Sequence, residues 1–482
     1  MNILGDALPR RFKAKASGSI TAGKPCIIEA DGDVAQVSET PVSEAVGTPA
    51  VFESAASPQI SAAYDSNAGK VVIAYRDNGN SNYGTAVVGT VSGTSISFGT
   101  PVVFESATTR YISTAYDVNA QKIVVAYRDY GNSSAGTAKV GTVSGTSISF
   151  GGATVFESGS SVYISAVYDA SAQKVVIAYE DGGNSGYGTA IVGTVSGTSI
   201  SFGSAAVFES ADTKYHSAVY DANAGKVVIA YRDDGNSNYG TAIVGTVSDT
   251  SISFGSAAVF ESASVDEISA AYDVNAQKVV IAYKDRDNND YGTAIVGTVS
   301  GTSISFGSAA VFESAATYEP SAVYTDNAQK VAIAYRDGGN SNYGTVIVAT
   351  VSGTSISFGT AVVFESGATD FISAVYEANA QNVVIAYEDE GNSDYGTAVV
   401  FQNAFTSKNL TSENYIGIAE YAAADTETAT VLIKGGVSTT QSSLTPGQTY
   451  FVQTDGTIGT SAGAPSVTAG TAVTSTKLIV KG

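Results

Sequence analysis

Residues 75–85 read YRDNGNSNYGT, an arginine, an aspartate, three asparagines and two tyrosines around two glycines. Such a set could hold a cation through Asp77, an anion through Arg76, or a substrate between paired carboxylates. The cation reading is thin, because Asp77-x-Gly79-x-Ser81 offers one carboxylate where an oxygen cage needs several. The copy DRDNNDYG (285–292) comes closest, with Asp285, Asp287, Asn289 and Asp290, but it lacks the distal glutamate of an EF-hand loop. Asp285, Asp287 and Asn289 are therefore the one candidate ion site, and no resident metal or cofactor is expected. The competing reading is an Asx-type turn, in which Asp and Asn cap the backbone and glycine supplies positive φ.

The elements that position this stretch are repeats. Tyr75 has counterparts at Tyr127, Tyr179, Tyr231, Tyr283, Tyr335 and Tyr387, each 52 residues from the last, and Phe52 recurs with the same step to Phe364. A fixed period of this length belongs to a solenoid, propeller or array. Within one unit, ISAAYD (60–65), KVVIAYRD (70–77), YGTAVVGTVSG (83–93) and TSISFGTPVVFES (94–106) are β-branched and aromatic runs separated by Gly, Asn and Ser turns. Each unit is thus a four-stranded antiparallel meander. Val71-Val72-Ile73-Ala74-Tyr75 is apolar on both alternating faces, so the sheet must be covered on both sides. Radial stacking does this, and the expected fold is an all-β, seven-bladed β-propeller with a linear β-solenoid as the runner-up.

The ends of the repeat predict how the ring closes. The seventh unit departs into FQNAFTSKNL after its third strand, while AVGTPAVFES (45–54) matches the second half of an outermost strand. The N-terminal piece is expected to complete blade seven. Outside the ring, ITAGKPCIIEADGDV (20–34) aligns without a gap on LTPGQTYFVQTDGTI (444–458), and YIGIAEY…TATVLIKGG (415–436) echoes TAGTAVTSTKLIVKG (468–482). Residues 1–44 and 403–482 therefore read as one small, split, internally duplicated β-domain, with the propeller (45–402) inserted in it. The chain enters and leaves the ring beside the turns between strands three and four. YRDNGNSNYGT belongs to the opposite face.

Two positions on that opposite face vary from unit to unit while the framework is copied. In the predicted loop before the first strand stand Arg110, Tyr111, Tyr163, Lys214, Tyr215, Asp266, Glu267, Tyr318, Glu319, Asp370 and Phe371. After the repeated tyrosine stand Arg76, Arg128, Glu180, Arg232, Lys284, Arg336 and Glu388. Loop tips tolerate drift, yet the Val-Ser-Gly-Thr-Ser turns of the other face hardly vary, broken only by Asp249. These residues are the candidate ligand-binding surface, since aromatic and arginine side chains anchor interfaces.

Catalysis is not expected. Asp77, Asp129 and Asp181 are repeat-equivalent turn residues rather than an acid and base pair, and His216, the only histidine, could titrate near neutral pH but has no evident Ser or Cys partner. A net charge of −21 and a pI near 4.3, with no basic stripe, argue against nucleic acid and anionic membrane surfaces. Cys26 is the only cysteine, which excludes an intrachain disulfide and reads as a half-buried strand residue. The N-terminus lacks the apolar core of a signal peptide and no apolar run could span a bilayer, so the protein is expected to stay where it is made or to leave by lysis or in a particle.

The ring distantly resembles the sialidase propellers, whose blades carry an Asp-box, Ser-x-Asp-x-Gly-x-Thr-Trp; here SGTSISFG (92–99) lacks the Asp, the Gly and the Trp, and the chain has no tryptophan. That resemblance implies fold and not activity. Residues 444–482, with 20–34 and 415–436, resemble the C-terminal parts of bacteriophage virion proteins: tail fibres, head fibres and capsid decoration proteins. The resemblance implies a virion surface protein, assembled in the host cytoplasm and released by lysis. Its split domain would bind neighbouring virion proteins, its opposite face a host glycan or receptor, and a homo-oligomer is compatible with it. Other readings are a secreted carbohydrate-binding module and a sialidase-like glycoside hydrolase.

Overall fold

The computed structural model describes residues 10–481, which form β-strands and short 3-10 turns. The signal-peptide reading rests partly on residues 1–9, outside the described residues. Among the described residues no helix is long and apolar enough to cross a membrane. The chain divides into two compact units, one running from Ser43 to Asn403 and the other formed by residues up to Val42 together with those from Ala404 onward.

The first unit is the closed ring. In its first blade, Ser61–Asp65 pairs with Lys70–Asp77, which pairs with Tyr83–Ser92, and this third strand carries Ser95–Phe98 and then Val102 onward at its outer edge. The pattern repeats in seven sheets. Every residue from Val71 to Tyr75 is fully buried, as its two apolar faces require. The Tyr75 ring packs on Phe52 at 5.1 Å, and its hydroxyl donates to Glu53 Oε2 at 3.1 Å, so the one polar atom of a buried aromatic is satisfied. Gly84 is required beside the next phenylalanine, because a Cβ there would lie 2.5 Å from the Phe104 ring.

The innermost strands also need partners for N–H groups that no ladder reaches. A serine supplies them: Ser61 Oγ accepts the Thr114 N–H, Ser113 that of Ala166, and so on around the axis until Ser373 accepts that of Ala62, at 2.9–3.0 Å. Closure follows the expected route. Ala45–Val46 and Ala50–Ala56 pair with Tyr395–Gln402, so the N-terminal segment is the outer strand of blade seven.

One expectation needs correction. The stretch before the first strand is not a loop in six of the seven units, and only residues 57–60 of the first unit lie outside a strand. Val102–Asp117 is a single strand whose first half borders blade one and whose second half is the innermost strand of blade two. Register shifts between Glu105 and Thr108 and between Arg110 and Ser113 absorb the change of blade. Backbone groups on either side of these shifts stay in the ladder.

The second unit shows its duplication in strand order. One sheet runs Arg11–Lys15, Thr428–Leu432, Tyr415–Ala419, Pro25–Ile28, Val34–Gln36; the other runs Val437–Ser438, Lys477–Val480, Val467–Thr474, Thr449–Val452, Ile458–Gly459. The two orders correspond strand by strand. In each Gly-x-Ala strand the glycine is forced by close approach: a Cβ on Gly417 would meet Leu432 O at 2.0 Å, and one on Gly470 would meet Ile479 O at 2.2 Å. Cys26 lies fully buried rather than half-buried, and burial pushes its thiol up to about 12, so it is inert at neutral pH.

Candidate ligand site at the channel mouth

YRDNGNSNYGT is a turn. Asp77 accepts the Asn80 N–H at 3.0 Å and caps a 3-10 turn at Asn78–Asn80, after which Ser81 and Asn82 take left-handed φ. Asp233 does the same with Asn236, and Asp129, Asp181 and Asp337 cap their turns by accepting the N–H of Gly131, Gly183 and Gly339. At the candidate ion site, Asp287 instead accepts the Ser264 N–H at 3.2 Å, and Asn289 occupies the left-handed cap. Among the described residues, no three His, Cys, Asp or Glu side chains converge as metal ligands.

The residues that do converge come from the bulged crossing between blades. Tyr111, Tyr163, Tyr215, Glu267, Glu319 and Phe371, with Gln59 completing the ring, line one recess of about 290 Å³ at the mouth of the central channel. All seven have φ between 49° and 61°. Left-handed backbone costs an ordinary residue about 1–2 kcal/mol, and for bulky side chains it is a genuine outlier. Strain of this kind persists where surroundings impose it and gathers at binding sites.

The recess has two unlike halves. Tyr111, Tyr163 and Tyr215 pack in series, with ring centroids 5.2 and 4.9 Å apart and ring planes tilted by 58° and 53°. Opposite them, Glu267 accepts the Glu319 N–H at 2.7 Å and Glu319 accepts the Ile372 N–H at 3.3 Å. Burial, and for Glu319 also Asp370 and Glu267, raises both carboxyls above the usual range. Gln59 makes the same link, accepting the Tyr111 N–H at 2.5 Å. His216 lines the wall, but burial lowers its pKa to about 4; it is neutral, held by the Tyr163 carbonyl and Thr213, and does not titrate near pH 7 as the sequence suggests.

The outer candidates fall in cross-strand pairs: Arg110 opposite Arg128, Lys214 opposite Arg232, Asp266 opposite Lys284, Tyr318 opposite Arg336, Asp370 opposite Glu388, with Glu180 opposite Val162. Much of this set is already engaged, contrary to an open binding surface. Lys214 and Arg232 share Asp234 at 2.5 and 2.6 Å, and Asp266 takes Arg232 and, at 2.6 Å, Arg286. Arg336 binds Glu390 at 3.0 Å and Asp370 at 3.3 Å, while buried Lys284 lies 3.9 Å from the centre of the Tyr318 ring. Glu388 is buried and accepts the Ser57 N–H at 2.9 Å; burial, then Asp394, raises its pKa to about 7. Glu180 likewise rises to about 7, by burial and then Asp212. Arg76 and Arg128 lie half-buried and Arg110 exposed, and none of the three sits in an ion pair among the described residues.

The candidate set leaves out Gln59, although it stands at the variable position equivalent to Tyr111, and does not reach Tyr130, Asp234 or Arg286. Tyr130, Asp234 and Arg286 were readable as departures, each standing where no other unit has the same residue.

The backbone compares with solved structures as follows. The BP39L lectin from Burkholderia pseudomallei matches over 74% of this chain and 99% of its own, with a TM-score of 0.51 and 10% identity. The fold is a β-propeller. A protein of unknown function from Dyadobacter fermentans matches over 76% of this chain and 99% of its own at 13% identity and a TM-score of 0.46, and a leech intramolecular trans-sialidase over 76% and 68% at 9% identity and 0.41. No protein-family model matches the chain, and no curated protein matches it.

Proposed function

We propose that the propeller is a non-enzymatic carbohydrate-binding module whose ligand enters the recess at the channel mouth. The observation that carries this is the ring of seven left-handed residues, which holds three tyrosines packed in series across from two half-buried glutamates. Aromatic faces take the C–H face of a pyranose, and carboxyl oxygens accept its hydroxyls. Recesses that combine apolar walls with a few convergent polar groups are the usual form of small-ligand sites. A likeness in fold to a lectin is in keeping with this reading. Nothing in the recess assigns one carboxyl as a nucleophile and another as an acid, because both are fastened to backbone N–H groups.

The test is the triple substitution Tyr111→Gln, Tyr163→Gln and Tyr215→Gln, which gives three more places the residue that Gln59 already tolerates in left-handed backbone. Retention of immobilised oligosaccharides should fall at least about tenfold, a loss of about 1.4 kcal/mol, with the melting temperature nearly unchanged. Undiminished retention by a folded variant removes the reading.

The split domain, duplicated strand for strand with the propeller in its loop, we assign to anchoring on a virion surface, with neighbouring virion proteins as partners. The support is the sequence resemblance of its strands to phage virion proteins. Immunogold electron microscopy of intact particles tests it, and label confined to free protein removes it.

A further inference from the structure

The cations on the face of the ring that bears the recess fall into two groups. Lys214, Arg232, Arg286 and Arg336 each have a carboxylate within ion-pair distance. Lys284 has none but lies buried and alone against Tyr318, whereas Arg76, Arg110 and Arg128, which also have none among the described residues, gather on blades one and two. Arg110 and Arg128 face each other across the ladder, and both lie against the ring of Tyr130, at 5.7 and 4.7 Å from its centre. No other unit has a tyrosine there; the equivalents are Asn78, Gly182, Asp234, Arg286, Gly338 and Glu390. Tyr130 is 41% exposed, so it serves no core.

An aromatic face holds a guanidinium without cancelling its charge. Arg76 donates through Nε to Asn78 Oδ1 at 2.9 Å, a neutral acceptor, and the charge of Arg110 adds to burial in lowering its hold on its own proton. Arg128 Nε is buried and has no acceptor. Three like charges held together without counter-charge repel one another, and planar guanidinium forks are suited to bidentate contact with oxyanions. Glu388 and Glu180 flank the cluster and keep their protons up to about pH 7, so they only partly offset it. Tyr111, next to Arg110 in the chain, is the first of the three tyrosines in the recess. The arginines therefore stand at the rim of the aromatic half.

We propose that Arg76, Arg110 and Arg128, ordered on Tyr130, are a subsite for an anionic substituent, a carboxylate or a sulfate ester, of the glycan bound in the recess. This rests on the carbohydrate-binding reading, which it makes specific to acidic glycans.

The full chain is passed over matched oligosaccharides that are neutral, hexuronate-bearing or sulfated on otherwise similar backbones. The acidic members should be retained at least about tenfold more strongly than the neutral ones, and retention should weaken as salt rises. The two acidic arms separate carboxylate from sulfate. Because the protein carries a net charge of −21, such retention has to come from a local site. The double variant Arg110→Gln/Arg128→Gln should lose about tenfold for the acidic members and nothing for the neutral ones, with unchanged melting. Lys278→Gln, at the start of a second strand and thus on the other face, should change neither.

Equal retention of neutral and acidic members overturns the subsite and leaves the carbohydrate reading standing. An acidic preference that survives in the double variant also overturns it. Retention of no member overturns both.

Discussion

The two ends of the propeller channel are built from the same strands, and they have opposite characters. At one end stand Tyr64, Tyr116, Tyr168, Tyr220, Tyr272, Tyr324 and Tyr376, one residue type in all seven units. At the other stand Gln59, three tyrosines, two glutamates and Phe371. The first ring is a set of staples: Tyr116 OH accepts the Asn67 N–H of the preceding blade at 3.2 Å, and Tyr168, Tyr272 and Tyr376 act alike on Asn119, Asn223 and Asn327. A shared duty holds the residue type constant. In the second ring the crossing backbone fixes where each side chain starts, and only Gln59, Glu267 and Glu319 bond a neighbouring blade with their side chains in that way. What differs there is free to serve recognition.

The largest expected effect breaks the frame common to both ends. Phe208 packs on Tyr231, Phe254 and His216, with centroids 5.2–5.7 Å apart. Phe208→Ala should cost about 4 kcal/mol in denaturant unfolding, and a loss below about 1 kcal/mol would mean that the blades do not share one framework.

Next comes the variable end alone. Glu388 has its folded pKa raised from 4.5 to about 7 by burial, with Asp394 and Asp370 adding and the Ser57 N–H and Arg76 opposing. Between these values the folded state binds more protons than the unfolded one, so the contribution of Glu388 to stability falls as pH rises from about 4.5 to about 7 and is flat above. Thermal melting of Glu388→Gln across that window should show a shallower decline than the wild type; an identical slope refutes the assignment.

The smallest effect sharpens the contrast on a single strand. Tyr116→Phe removes a staple and should cost about 1 kcal/mol, whereas Tyr111→Phe, whose hydroxyl holds no neighbouring turn, should leave stability unchanged. Equal losses would erase the distinction between the two ends.

Much of this architecture is legible in the sequence because repetition amplifies it. Phe52, Tyr75 and Gly84 recur with every blade, and each is demanded by the same contact: ring on ring, with no room for a Cβ between. The duplicated split domain is legible for the same reason, in Gly417 and Gly470. The candidate site is legible only as positions that vary. Which charges neutralise each other depends on contacts between neighbouring blades, such as Arg232 with Asp266 or Arg336 with Glu390, and comparison at equivalent positions does not pair residues 34 or 54 apart. The left-handed ring is hidden as well. Tyr111 and Phe371 carry no glycine signal, and the bulge at which their φ turns positive lies between the first and second strands of their own blade, where no turn residue marks it.

The strand exchange that shuts the ring also sets a schedule for its assembly. Ala50–Ala56 is made before any blade and finds its partner, Tyr395–Gln402, after the last one. Throughout synthesis the chain carries an unpaired outer strand at its front, while each finished blade exposes an edge that fits it, since Gly84, Gly136 and their counterparts all offer the slot that Gly396 offers Phe52. A premature match would seal a smaller circle and strand the remaining blades outside. Near-identity of the units, which makes the ring regular once formed, thus makes the order in which its parts emerge from the ribosome a determinant of whether seven blades are enclosed.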